Sequence, residues 1–261
     1  AAVNFLALGM DPEKSTFWVQ HDVKEVLELY WLLSNHTSMG LLERAHSYKD
    51  KTARGIVANH GLFSYPVLMA ADILLFDSNI VPVGKDQIQH VEMTRDIATS
   101  FNHTYGDILV LPESKVDENV ATVPGTDGAK MSKSYNNTID MFGPAKTIKK
   151  QVMGIVTDSK ELNEAKEWEN CNIYTLSKLF MKEDELASLR QRYATPGEGY
   201  GQFKMTLLEK INEHFEPYAQ KREHLLNNPE EVKDILAFGA SKAKKIAAAK
   251  MEIIRDAVGL I

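Results

Sequence analysis

The stretch NIVPVGKDQIQHVEMTRDIATSF, residues 79–101, joins a short apolar run directly to a long segment with helical spacing. The run 79–83 predicts a buried strand, although Pro82 removes one backbone donor and so predicts irregular pairing there. Residues 86–101 predict a helix, and residues 107–111 predict a second strand. Because parallel strands need a crossover, this alternation predicts an α/β domain whose parallel sheet is covered by helices.

The segments before this stretch are assigned from hydrophobic spacing and from Gly and Pro breaks. A helix over residues 1–9 ends at Gly9, and residues 16–20 form a short β-prone run. The spacing then predicts helices at 23–33, 39–47, 52–64 and 65–76, the last of which begins at Tyr65 and Pro66.

The segments after residue 143 all have helical spacing, and no convincing strand remains among them. We therefore place a boundary near Gly143 and Pro144, with an α/β domain at 1–143 and a helical domain at 144–261. The predicted helices are 144–156, 173–180, 183–193, 202–225, 229–238 and 240–258.

Composition narrows the class of protein. The 261 residues are 44% hydrophobic and 25% charged, as in ordinary globular proteins, and no apolar run is long enough to span a bilayer. The single Cys171 excludes an intrachain disulfide and a cysteine-rich metal site, and it fits a reducing cytosol. The net charge of −6 argues against a protein that coats nucleic acid by its overall charge.

Residues 130–134, Lys130-Met131-Ser132-Lys133-Ser134, lie in a segment without hydrophobic period, between VPGTDGA and YNNT. Gly, Pro, Asp and Asn mark this segment as a loop. Two lysines three residues apart, with hydroxyls beside them, suit the binding of phosphate oxygens. A generic pair of lysines at this spacing is more often part of a solvated loop.

The full pentapeptide matches the signature loop of class I aminoacyl-tRNA synthetases at all five positions. Residues 61–75 and 80–92 further resemble the bacterial tryptophanyl-tRNA synthetases, and the similarity runs from Gly9 to the C-terminal helix. The resemblance implies a Rossmann-like parallel sheet with helices on both faces, followed by an all-helical C-terminal domain that contacts tRNA. It also implies that the last helix packs back on the catalytic domain.

The resemblance implies the substrates and partners as well. These are L-tryptophan, ATP with Mg²⁺, and tRNA(Trp), handled by a cytoplasmic homodimer without membrane attachment. Tryptophan attacks ATP to give tryptophanyl-adenylate and pyrophosphate, and the terminal ribose of tRNA then takes the tryptophanyl group. Lys130 and Lys133 are candidates for stabilising the leaving pyrophosphate. A tyrosine-specific class I synthetase, or a truncated chain that binds tryptophan or tRNA without ligating them, are the alternatives.

The spacing of Tyr65, Met69 and Asp72, at i, i+4 and i+7, places them on one helix face. The alternative is a core stripe with an acid at its edge. Asp72 lies in an apolar stretch, however, and a buried carboxylate needs a donor. Indole carries one N–H donor and no acceptor. The resemblance assigns these three residues and Gln87 to tryptophan, with Asp72 accepting from the indole N–H.

The resemblance places ATP at Gly84, Lys85 and Asp86, where a strand ends and a helix begins, although Asp86 also suits a helix N-cap. Gly84 permits close approach of a ligand to the backbone. Val123 is expected to flank adenine. Lys51 matches a family position that reaches the phosphates, but by itself it is more often a solvated lysine.

His90 and Glu92 have no partners at metal-ligand spacing, and we predict no metal site and a structural role for both. Lys242, Lys244 and Lys245, with Lys250, form the most basic stretch of the helical domain. They are candidates for tRNA contact, although a solvated helix face is the commoner explanation.

The second class I signature, a His-x-Gly-His-like motif in the first helix after the first strand, is not found in this sequence. Relative to the family we expect that roughly the first fifth is missing, including the first strand of the sheet. We therefore expect this chain alone not to activate tryptophan.

Overall fold

The computed structural model describes residues 1–53, 55, 57–116 and 123–261, except for the side chain of Ser47. Short 3₁₀ turns lie at Gln20–Asp22, Lys85–Gln87 and Lys133–Tyr135. The helices and strands are, in chain order, α1 (Ala2–Ala7), α2 (Glu25–Ser34), α3 (Met39–Glu43), α4 (His46–Ala53), α5 (His60–Leu74), β1 (Ile80–Pro82), α6 (Ile88–Tyr105), β2 (Glu113–Lys115), α7 (Ala145–Met153), α8 (Asn172–Ser177), α9 (Glu183–Ala194), α10 (Tyr200–Asn227) and α11 (Pro229–Ala257).

Backbone contacts divide the chain into two compact units. The loop unit, named for residues 130–134, combines Ala1–Gly9 with Val120–Asn228, and the sheet unit combines Met10–Asn119 with Pro229–Ile261. The bounds of these units differ from those of the predicted domains, and the division near residue 143 stays a prediction.

The sheet unit contains the two strands that the structure describes. β1 and β2 pair in parallel, with Ile80 opposite Glu113 and Pro82 opposite Lys115, and α6 connects them along the chain. α5 packs against both α6 and α2. A parallel pair joined through a helix confirms the predicted α/β class.

The second strand was predicted at residues 107–111, and this prediction is wrong because the strand begins at Glu113. The side chain of Asn102 explains the difference. Its Oδ1 accepts from the backbone N–H of Ile108 and Leu109, and its Nδ2 donates to the Leu109 carbonyl at 2.8 Å. A side chain thus satisfies backbone groups that a neighbouring strand would otherwise pair.

The β-prone run at residues 16–20 is likewise not a strand. The backbone of Phe17 instead packs against α11, where a Cβ at Gly239 would collide with the Phe17 carbonyl. The predicted helices 229–238 and 240–258 leave Gly239 between them, but α11 runs through it without interruption. The glycine is therefore explained by a close approach of two backbones and not by a helix end.

The predicted helices 52–64 and 65–76 are also corrected. α5 is one helix that begins at His60. Asn59 is its N-cap, and the Asn59 side chain accepts a hydrogen bond from the Leu62 N–H at 2.8 Å. Pro66 lies inside α5 and does not start a helix. Residues 54 and 56 of the first predicted helix lie outside the described residues.

The core of the sheet unit is formed by α2, α5, α6 and α11. Lys250 of α11 is buried at this interface, where its Nζ donates to the Ile108 carbonyl at 2.6 Å and pairs with Asp77 at 2.5 Å. Lys250 is therefore occupied inside the unit, which removes it from the basic stretch considered for tRNA contact. Arg255 of α11 pairs with Glu28 of α2 through two hydrogen bonds and holds the pKa of that carboxyl below its usual range.

The loop unit packs α10 against α1, α7 and α8. Its core includes the stacked rings of Tyr193 and Phe203, whose centroids lie 4.0 Å apart, and the buried thiol of Cys171. The helices predicted after residue 143 are confirmed, with 229–238 and 240–258 merged into α11. Among the described residues, no helix combines the length and the apolarity needed to cross a bilayer.

Candidate active site

One face of α5 in the sheet unit presents Tyr65, Met69 and Asp72, all of which are partly buried. The helical repeat places these side chains one above the other, while Val67, Ala70 and Ile73 turn into the core. The face therefore combines one phenol ring, one thioether and one carboxylate.

The carboxylate of Asp72 receives a hydrogen bond from the Gln20 side chain, whose Nε2 lies 2.6 Å from Oδ2. Burial raises the pKa of Asp72 above its ordinary value, and the bond from Gln20 opposes that rise. The site thus holds a partly desolvated acceptor that already pairs with one N–H donor.

The phenol of Tyr65 contacts residues from two other helices. Its Oη lies 2.6 Å from His90 Nε2 on α6, and the Nζ of Lys51 on α4 lies 5.9 Å from the centre of its ring. Burial lowers the pKa of His90, and nearby His46 adds to this effect while Asp86 opposes it. The contacts bring Lys51, predicted for the phosphates, next to Tyr65, predicted for tryptophan.

Gly84 opens the 3₁₀ turn that contains Lys85, Asp86 and Gln87 and leads into α6. A Cβ at Gly84 would lie only 2.7 Å from the Asp86 carboxylate, so a side chain here would require the Asp86 side chain to shift. Asp86 accepts from the Gln87 amide at 3.1 Å and lies inside the turn, not at its N-cap. The interpretation of Asp86 as an N-cap is therefore wrong.

Residues 130–134 of the loop unit are held mainly through their backbone. Met131 N–H donates to the Val123 carbonyl at 2.9 Å, and Lys130 forms an antiparallel bridge with Pro124. Ser132 Oγ accepts from the Ser134 N–H at 3.3 Å and lies 2.8 Å from its hydroxyl. The loop is thus a small closed turn with a defined backbone.

Asn137 organises this turn from beneath, with only 2% of its surface exposed. Its Oδ1 accepts from the Ser132 N–H at 2.8 Å, and its Nδ2 donates to Asp127 Oδ1 at 2.8 Å and to the Lys130 carbonyl at 3.1 Å. A Cβ at Gly125 would collide with the Asn137 amide. The bond from Asn137 also holds the pKa of Asp127 below its ordinary value.

The side chains of Lys130 and Lys133 are exposed, whereas Met131 packs on the hydrophobic core of the loop unit. The Met131 side chain anchors the loop to the core, while the two ammonium groups stay in solvent. This arrangement suits the binding of a mobile polyanion. The described residues contain no group of three or more His, Cys, Asp or Glu placed to hold a metal ion.

Comparison with known proteins places the chain in a family. The model for class I tRNA synthetases of the W and Y type matches residues 1–216. A tryptophan–tRNA ligase of Campylobacter jejuni (strain RM1221) is 61% identical over 100% of this chain and 82% of its own length. One from Rhodopirellula baltica is 49% identical over 100% of this chain and 81% of its own.

The chain belongs to the tryptophan–tRNA ligases. Solved structures agree with this family assignment. The tryptophanyl-tRNA synthetase of C. jejuni, complexed with ADP and tryptophan, superposes with a TM-score of 0.96 at 60% identity, over 99% of this chain and 81% of that one. The enzyme from Mycoplasma pneumoniae gives 0.75 at 28% identity, over 99% and 80%. The tryptophan branch is thereby favoured over the tyrosine-specific alternative.

Within this tryptophan–tRNA ligase, the predicted residues fall into two groups. Lys51, Tyr65, Met69, Asp72 and residues 84–87 belong to the sheet unit. Val123 and residues 130–134 belong to the loop unit, and the Val123 side chain is exposed.

Three residues without a predicted functional role contact the predicted site residues, namely Gln20, His90 and Asn137. Gln20 pairs with an acid 52 positions away, and no local pattern signals such a contact. Asn137 lies three residues after the signature loop, and a polar residue so close to a predicted functional turn is a signal that could have indicated its contacts with the loop. His90 was predicted to be structural because it lacks a partner at metal-ligand spacing, and that spacing does not signal its contact with Tyr65.

Proposed function

We propose that a form of the protein that carries both class I signatures activates L-tryptophan with ATP and transfers the tryptophanyl group to tRNA(Trp), using the residues described above. The observation that carries the residue assignment is the partly buried carboxylate of Asp72 on the same α5 face as Tyr65 and Met69. Such a face offers an aromatic ligand flat apolar contacts and a single acceptor.

The indole N–H is the natural donor for Asp72. Gln20 now donates to this carboxylate, which shows that one oxygen is accessible to an N–H group. Phenylalanine has no donor, so Asp72 would keep only its bond from Gln20 and gain none from the ligand, a disadvantage of about 1–3 kcal/mol relative to tryptophan. This difference supports selection of tryptophan by a hydrogen bond as well as by shape.

In the first step, a tryptophan carboxylate oxygen attacks the α-phosphorus of ATP, and the bond from that phosphorus to the β-bridging oxygen breaks. Negative charge accumulates on the departing pyrophosphate. The exposed ammonium groups of Lys130 and Lys133 supply the compensating charge, on a loop whose backbone is held by Asn137. No protein nucleophile takes part, so catalysis depends on positioning and electrostatics.

ATP is assigned to the turn at Gly84, Lys85 and Asp86, with Gln87 reaching tryptophan and ribose, and Lys51 directed to the phosphates. Val123 flanks adenine. Because Gly84 has no side chain, a nucleotide can approach the backbone closely at this turn. Mg²⁺ bound to ATP as part of the substrate would neutralise charge on the phosphate oxygens.

In the second step, a ribose hydroxyl of the tRNA terminus attacks the tryptophanyl carbonyl carbon and AMP leaves. The helices after residue 143 are assigned to tRNA contact. On α11, Lys244 and Lys245 are exposed and stay candidates for phosphate contacts, while Lys242 lies over the Phe238 ring, 4.2 Å from its centre.

The proposal includes a homodimer in the cytoplasm. Leu27 and Trp31, one turn apart on α2, are 62% and 67% exposed and form an apolar face suited to a second copy. The single buried, unpaired Cys171 is compatible with the reducing cytosol.

The test of the assignment is Asp72→Asn, compared with the matched variant Asp96→Asn at another acid of the same unit. We expect Asp72→Asn to weaken tryptophan binding by about tenfold to a hundredfold, since the charged acceptor is lost, and to change ATP affinity less than twofold. Calorimetry gives both affinities, and tryptophan-dependent exchange of labelled pyrophosphate into ATP reports the activity. Equal losses for the two ligands would contradict the role of Asp72.

A further inference from the structure

His90 lies near the start of α6, and only 3% of its surface is exposed. Its Nε2 lies 2.6 Å from the hydroxyl oxygen of Tyr65, whereas its Nδ1 is buried without a hydrogen-bond partner among the described residues. A buried imidazole with one nitrogen unpaired costs stability, which a role at the neighbouring site would offset.

The two rings are arranged to restrict each other. Their centres lie 5.4 Å apart at an interplanar angle of 31°. Val91, Met93 and Thr94 are buried beside His90 on the helix, and the Thr94 hydroxyl donates to the His90 carbonyl at 2.9 Å. The backbone of His90 is therefore held within α6 and its imidazole is buried, and the bond between Nε2 and the hydroxyl fixes the direction in which the Tyr65 ring axis points.

We propose that His90 is a positioning residue for tryptophan, which acts by holding the Tyr65 side chain in the direction that places its ring against indole. The proposal rests on the assignment of Tyr65, Met69 and Asp72 to tryptophan. With its hydroxyl engaged by His90, Tyr65 presents a ring face to the ligand, and Asp72 provides the acceptor. A ring face from Tyr65 together with a single acceptor from Asp72 favours a flat ligand with one N–H donor.

The same segment links the two predicted binding regions of the sheet unit. Asp86, assigned to ATP, precedes His90 by four residues in the turn that leads into α6. A single short segment thus carries both the predicted nucleotide residues and the group that orients Tyr65. The position of this segment in the fold therefore determines both where the predicted nucleotide residues lie and where His90 contacts Tyr65.

Two variants with similar polarity separate positioning from folding. In His90→Gln, the side-chain amide reaches the place of Nε2 and can still pair with the Tyr65 hydroxyl, whereas in His90→Asn it reaches only the place of Nδ1. We expect His90→Asn to weaken tryptophan affinity by about tenfold and His90→Gln to stay within about threefold of the parent. ATP affinity should stay within about twofold for both, measured by calorimetry.

A double-mutant cycle with Tyr65→Phe tests whether His90 acts through the hydroxyl. Once the hydroxyl is gone, adding His90→Asn should weaken tryptophan binding by less than about twofold. A full tenfold further loss, or equal losses for ATP and tryptophan, would overturn the proposal. If His90→Asn does not fold, Tyr65→Phe breaks the same bond from the other side, and unchanged tryptophan affinity in that variant overturns the proposal.

The cycle also distinguishes failure of this proposal from failure of the pocket assignment. Unchanged tryptophan affinity in Tyr65→Ala would overturn the assignment of Tyr65 to the ligand. A large loss in Tyr65→Ala together with an additive cycle would keep that assignment and reject only the role of His90. Thermal unfolding of every variant shows that the comparison is made between folded proteins.

Discussion

The signature loop and the α5 face differ in how they hold their functional groups. In the loop, backbone bonds and the buried amide of Asn137 fix the main chain, while the ammonium groups of Lys130 and Lys133 stay in solvent. On α5, side chains from distant parts of the chain fix one another, as Gln20 does for Asp72. The difference matches the two tasks proposed, stabilising a mobile anion and selecting a rigid ring.

The electrostatics of the two regions differ in the same sense. A hydrogen bond from Asn137 lowers the pKa of Asp127, which keeps this acid ionised as part of the loop framework. Burial raises the pKa of Asp72, so the ionised carboxylate is less stable at the proposed ligand site than it is in water. An acid that is destabilised in the free protein gains more from a donor that the ligand brings.

The largest expected effect comes from removing the loop charges. Lys130→Ala and Lys133→Ala should each lower the rate of adenylate formation by about a hundredfold to a thousandfold, because each removes a charge that acts as pyrophosphate leaves. Tryptophan affinity should stay within about twofold. Single-turnover adenylate formation measures the rate, and Lys149→Ala, at an exposed lysine of α7, is the control. Parent-like rates in either loop variant would remove the distinction between the two regions.

A smaller effect is expected from the residue beneath the loop. Asn137→Ala removes bonds to Asp127, Ser132 N–H and the Lys130 carbonyl, and should lower the free energy of unfolding by about 1–3 kcal/mol. Adenylation should slow by about tenfold, since a displaced loop positions its charges less well. Urea unfolding and single-turnover kinetics are the measurements, with Asn212→Ala at an exposed amide of α10 as the control. Unchanged kinetics together with lowered stability would show that Asn137 contributes only to the stability of the fold and not to catalysis.

The two regions also differ in how far the sequence predicts them. The loop was identified from five consecutive residues, since its function depends on exposed side chains and a local backbone. On α5, the spacing of Tyr65, Met69 and Asp72 was predicted from helical periodicity alone. Their partners Gln20 and His90 are 52 and 25 positions away from the residues they contact, and periodicity carries no information on such pairs.

The fold shows the same limit. The alternation of strand and helix around residues 79–101 predicted the parallel pair correctly, because helical and extended periods are local properties. The second strand was predicted too early in the chain because the Asn102 side chain accepts hydrogen bonds from the backbone N–H groups of residues 108 and 109, which a strand would use for pairing. The continuity of α11 was missed because Gly239 serves a contact with Phe17, which lies more than two hundred residues earlier.

The smallest expected effect compares the pH dependence of Asp72 and Asp127. The ordinary pKa of both is 3.8, and the folded protein raises the first and lowers the second. Between 3.8 and its raised pKa, Asp72 keeps a proton that the unfolded chain has lost, so folding becomes less favourable as pH rises through that window. Asp127 contributes stability that is present above 3.8 and lost as pH falls through its lowered pKa.

Two neutral substitutions therefore have opposite signs. At neutral pH, Asp72→Asn should be more stable than the parent by a few tenths to about 1 kcal/mol, since it removes a partly desolvated charge and keeps an acceptor for Gln20. Asp127→Asn should be less stable than the parent under the same conditions. Both differences should shrink as pH falls, for Asp72 from its raised pKa down through 3.8, and for Asp127 from 3.8 down through its lowered pKa. Urea unfolding across this range measures both, and a shift of the same sign in the two variants would show that the two regions do not differ in their electrostatic design.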